Sequence, residues 1–126
     1  MAMVEPVFNY DEISDTLYVS FEPGAKGTGI ELNEHILLRI DKKERKAIGV
    51  TFFDYSVLAQ KTELGPRSFP LTGLPQLSAD LRETALDILR AAPVNRILSL
   101  SAYTPSIVET IPVVSLHLPT VLVEGA

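Results

Sequence analysis

Between residues 6 and 54, five short segments of alternating apolar and polar residues follow one another with only turns between them. The segments are 6–10, 16–22, 28–32, 35–40 and 47–54. In the second, Leu17, Val19 and Phe21 alternate with Thr16, Tyr18 and Ser20. In the fifth, Ile48, Val50 and Phe52 alternate with Gly49, Thr51 and Phe53. A period of two is that of a half-buried strand. Parallel neighbours need a crossover of roughly a dozen residues or more, and none of these breaks is that long, so the strands must pair antiparallel. The first half therefore predicts an antiparallel β-meander of about five strands.

The breaks carry turn chemistry. Pro23-Gly24-Ala25-Lys26-Gly27 supplies a chain stop and glycines for positive φ, and Asn33-Glu34 marks a short break. Before the second strand, Asp11, Ser14 and Asp15 can bond nearby amides. Asp11, Glu12 and Asp15 also make the one tight acidic cluster of the chain. It reads either as turn capping and solubility or as oxygen ligands for calcium or magnesium, although the spacing is not that of an EF-hand loop. The basic run Lys42-Lys43-Glu44-Arg45-Lys46 reads as a solvated hairpin tip; the competing reading is a contact for an acidic partner.

After residue 54 the pattern changes. Asp54 or Ser56 is placed to cap a short helix over 57–60. Residues 62–76 hold Pro66, Pro70 and Pro75 with Gly65 and Gly73, and read as a loop or linker. Residues 78–92 predict an amphipathic helix. Ser78 is its N-cap, Asp80 and Glu83 suit its positive end, and Leu81, Ala85, Ile88, Leu89 and Ala92 form one apolar stripe. Arg90 suits its last turn and Pro93 ends it. From residue 91 onward only Arg96, Glu109 and Glu124 are charged. Residues 96–103, 107–108, 113–118 and 121–123 look like further strands, interrupted by Pro105, Pro112 and Pro119. The expected fold is α+β, with residues 1–61 as the meander and 62–126 as linker, helix and apolar β extension, the two packing as one unit. So apolar a tail needs cover, from its own sheet or from a second subunit in a dimer.

Chemistry is thinly represented. The chain has no cysteine, which excludes disulfides and thiolate sites. Its two histidines, His35 and His117, are far apart and show no zinc-ligand spacing. There is no Gly-x-Ser-x-Gly elbow, and Gly24-Ala25-Lys26-Gly27-Thr28-Gly29 lacks phosphate-loop spacing. No catalytic residue, cofactor or enzymatic activity is expected. A net charge of -5 gives no positive field for phosphate backbones, so nucleic acid is not an expected partner. No apolar run approaches the roughly 18 residues of a membrane span, and the N-terminus lacks a signal-peptide pattern, so the expected location is the cytoplasm.

Tyr10-Asp11-Glu12, followed by Asp15-Thr16-Leu17-Tyr18-Val19, resembles the Tyr-Asp-x-x-x-Asp-x-Leu-Tyr-hydrophobic opening of the DUF2283 family. Gly49-Val50-Thr51-Phe52-Phe53-Asp54-Tyr55-Ser56 is similar to that family's Gly-Ile-Glu-Ile-hydrophobic-Asp-Ala-Ser ending. The resemblance covers about residues 6 to 60. It departs at the charged hairpin, where many members have a glycine and residues 41–46 have none, and it does not extend past Lys61. The family has no assigned function, so the resemblance carries over no site residue. Some members lie beside small toxin-like proteins, which implies an antitoxin-like role as one possibility. The readings that follow are three: a small β-rich interaction or oligomerisation module, an antitoxin-like partner of a small toxin, and a small-molecule or divalent-metal-binding protein.

Overall fold

The computed structural model describes residues 5–117. Its first sheet holds Val7–Asp11 (β1), Thr16–Ser20 (β2), Thr28–Glu31 (β3), Ile36–Asp41 (β4) and Lys46–Phe53 (β5). All five pair antiparallel, as the alternation requires, in the spatial order β1-β2-β5-β4-β3. Thus β3, β4 and β5 run as a meander, and the β1–β2 hairpin closes onto β5. This order puts the most apolar strand in the middle. Residues 47–52 of β5 are all buried, whereas β1 at the edge alternates between exposed and half-buried positions.

The turns repeat one device. Asp11 Oδ1 accepts from the Ile13 N–H at 3.0 Å, and four residues on, Asp15 takes a left-handed φ of 52°. In the charged hairpin Asp41 Oδ1 accepts from the Lys43 and Glu44 amides, and Arg45 takes φ 53°. The aspartate closes the turn, and the left-handed residue turns the chain back. This is how the hairpin manages without a glycine. Asn33 does similar work before β4, its Oδ1 accepting from the His35 and Ile36 amides.

Tyr55–Leu58 (α1) follows β5 directly. Lys61–Thr62 (β6) and Gly65–Pro66 (β7) form a minimal hairpin, and Ser68–Pro70 (β8) joins a second sheet. The stretch that looked like plain linker thus contributes a strand. Its Pro70 is tolerated because β8 is an edge. Ala79–Arg90 (α2) is the expected amphipathic helix, capped by Ser78, whose Oγ accepts from the Leu81 amide at 3.2 Å. It stops two residues short of Ala92, with Ala91 already extended. Leu98–Ser106 (β9) and Glu109–Leu116 (β10) complete the second sheet in the order β8-β10-β9. Residues 107–108, expected as a strand, are the turn between β9 and β10, because β10 needs them to reverse onto β9. The strand expected at 121–123 lies outside the described residues.

One hydrophobic cluster spans both halves. Leu17, Leu38, Val50 and Phe52 from the first sheet meet Leu74, Ala85, Leu89, Leu98 and Val114 from the second half. The seam is tied by hydrogen bonds to main-chain carbonyls: the Gly73 amide donates to the Leu32 carbonyl at 2.8 Å, and the Asn33 side-chain Nδ2 donates to the Pro70 carbonyl at 3.2 Å. Among the described residues, no helix is long and apolar enough to cross a membrane.

Candidate functional site

Two places on this frame collect features that packing alone does not explain. The first lies where the ends of β2 and β5 adjoin. Thr16 pairs with Phe53, so the residues just before β2 stand beside those just after β5. Asp15 accepts from three donors there: the Tyr10 hydroxyl at 2.7 Å, the Ser56 amide at 3.0 Å and the Ser56 hydroxyl at 2.6 Å. Its own carbonyl accepts from the Tyr55 amide. Asp54 holds the N-cap position of α1 but makes no side-chain cap bond and takes φ 57°. Asp15 supplies the missing cap from the turn before β2, bonding the second amide of the helix. Tyr10 in turn packs edge-on against Tyr55, with ring centroids 5.7 Å apart.

Electrostatics follow from these bonds. The Ser56 and Tyr10 hydroxyls hold the Asp15 carboxyl below its usual range. The bond to Asp15 pushes the Tyr10 phenol up to about 12. Burial alone raises Tyr55, whose hydroxyl has no hydrogen-bond partner. A general base works best with a pKa near the working pH. Here a carboxylate is driven further into its charged form and a phenol further into its neutral form, which is the signature of a clasp. Ser56 Oγ has a carboxylate beside it, but that carboxylate is a weakened base.

Next to the clasp, His35 Nδ1 lies 3.1 Å from Asp54 Oδ2, and its Nε2 lies 3.7 Å from Glu34 Oε1. Despite this approach, the buried Nδ1 makes no hydrogen bond. The three acidic candidates separate in function. Asp11 closes its own turn, also accepting from Ser14 Oγ at 2.9 Å, Glu12 is exposed, and Asp15 faces Ser56. Among the described residues, no group of three or more histidine and acidic side chains gathers around a common point. His117 follows β10 in the other sheet, its amide donating to the Ile97 carbonyl. The sequence signalled Asp15 and Ser56 separately; their meeting depends on β2 pairing with β5, which alternation does not specify. In the basic run, Arg45 pairs with Asp87 of α2 at 3.3 Å and Lys46 with Glu22 at 3.2 Å.

The second place is the far end of the β9–β10 hairpin. Residues 101–110 are exposed without a break. Tyr103 is 57% exposed, Val108 91%, and Ile107 fully. β8 pairs with β10 only at residues 113–115, so beyond that point the hairpin is a two-stranded ribbon. At its root lie two shallow apolar grooves of about 680 and 540 Å³ that share Leu86, Thr110 and Pro112. A two-stranded ribbon without cover is marginal in water.

Residues 8–56 match the family model of DUF2283, described as a protein of unknown function. The matched stretch runs from within β1 to the start of α1, so it contains all of the first sheet but Val7 and both partners of the Asp15–Ser56 clasp, and ends before the second sheet. No curated protein and no solved structure matches the chain.

Proposed function

We propose that this protein is a β-rich interaction module that self-associates through its C-terminal ribbon. The observation that carries this reading is the unbroken exposure of residues 101–110, with Tyr103, Ile107 and Val108 in water, on a hairpin that extends past the last strand of its sheet. Large apolar side chains that gather on an exposed element mark contact surfaces. The first sheet acts as a platform. Its core is filled, its turns are self-satisfied, and the clasp fixes the start of α1. The tightest polar cluster binds itself, which favours a structural role for Asp15 over ion binding. Light scattering on the purified chain across the micromolar range tests the reading. The expected mass is twice the 13.8 kDa of one chain. A monomer at all concentrations, with no protein co-purifying, overturns it.

A further inference from the structure

We infer that the ribbon's partner is a second copy joined through the free edge of β9, so that the three-stranded sheet continues across a twofold axis into six strands. This rests on the self-association reading above and specifies its geometry. The β9–β10 ladder fixes the direction of each backbone group. The Pro112 carbonyl accepts from the Leu71 amide at 3.0 Å, so Pro112 faces the β8 side of β10. In an antiparallel strand the N–H and C=O of one residue point the same way, and the direction alternates along the chain. Ala102 lies opposite Pro112, and Leu100 opposite Val114. Both therefore turn their N–H and C=O away from β10. The bond from the His117 amide to the Ile97 carbonyl fixes the opposite parity for odd-numbered positions. Since β9 is the last strand of its sheet among the described residues, Leu100 and Ala102 present donors and acceptors to an edge that none of those residues pairs.

Edge strands are ordinarily guarded by outward charges or prolines. β9, Leu98–Ser106, has no charged residue. Its proline, Pro105, sits at the register shift opposite Thr110, beyond the outward-facing Leu100 and Ala102. The chain carries a net charge of -5, so two copies repel over most approaches. The β9 edge lets them meet without opposing like charges. Antiparallel pairing of a strand with its own copy is self-complementary about its midpoint. Pairing centred on residue 102 sets Ala102 against the partner's Ala102, outward-facing in both copies. Each ribbon then lies along the root of the other, beside the groove that Leu86 and Leu98 line. That groove holds Arg90, which also pairs with Asp87 at 3.5 Å, and the ribbon holds Glu109 of opposite sign.

The absence of cysteine makes the test clean, since Ala102→Cys carries a single thiol. Hydrogen-bonded antiparallel pairs place their Cα atoms about 5.5 Å apart, within disulfide reach. Under mild oxidation, Ala102→Cys should form a covalent dimer about tenfold faster than Val108→Cys at the ribbon tip. Ala102→Pro, which removes an outward N–H and spares the β10 ladder, should give a folded monomer by circular dichroism and light scattering. A wild-type dimer in which the two cysteine variants cross-link at equal rates overturns the β9 edge while self-association stands. A monomeric wild type removes both.

Discussion

The first sheet and the C-terminal ribbon are written in the same alternating pattern, yet one is buried and the other lies in water. Val50 and Phe52 of β5 are at most 1% exposed, because β2 and β4 flank that strand and the second half of the chain packs into the same core. Leu98 of β9 is equally buried, but from Ser101 to the end of that strand every residue is exposed. Alternation specifies a strand and its two faces; it does not specify that cover exists within the same chain. The contrast places stability in the joined core, and the proposed reading gives contact to the ribbon.

The largest effect should come from the core. Phe52→Ala should cost about 3–5 kcal/mol in urea unfolding, while Ile107→Ser, read on dilute protein, should stay within about 0.5 kcal/mol. Comparable losses at the two positions would break the contrast. Gly73→Ala probes the seam. A Cβ at this position would run into the Glu31 main-chain carbonyl, and both sides of the contact are backbone. A loss of about 1–3 kcal/mol is expected, and an unchanged midpoint would mean that the halves are not held as described.

The clasp should show itself through pH. Asp15 is held below its unfolded value, so its contribution is present above that value and fades as pH falls through the folded one. Tyr10 is held above its unfolded value, so its contribution is full below pH 10 and fades as pH rises toward about 12. Asp15→Asn should flatten the acid limb of the unfolding midpoint, and Tyr10→Phe the alkaline limb; limbs unchanged in both variants would remove the clasp. The smallest effect belongs to Arg45→Ala. Its pair with Asp87 is half exposed on both sides, and exposed pairs are worth about 0.5 kcal/mol. A loss well beyond that would show that the hairpin tip bears on α2 more than packing implies.

Much of the fold was legible because its signals are local. The alternation in residues 16–20 and 47–53, the Ser78 cap and the apolar stripe of α2 each act within a few residues. What was not legible depends on pairing at a distance. Asp54 and Ser56 looked like the caps of α1, but the capping carboxylate comes from Asp15, which only the β2–β5 pairing brings near. Ile107 and Val108 have strand composition, and they became a turn because β10 needed a reversal there. Phe69 sits in a proline-rich stretch with no periodic signal, and it is a strand residue only because Val114 pairs with it.

Sedimentation equilibrium of the wild type beside a Tyr103→Ser/Ile107→Ser/Val108→Ser variant tests the central assignment most directly. The ribbon as contact surface predicts twice the 13.8 kDa chain mass for the wild type and a single chain mass for the variant. One mass shared by the two proteins, whether that of one chain or of two, would contradict it.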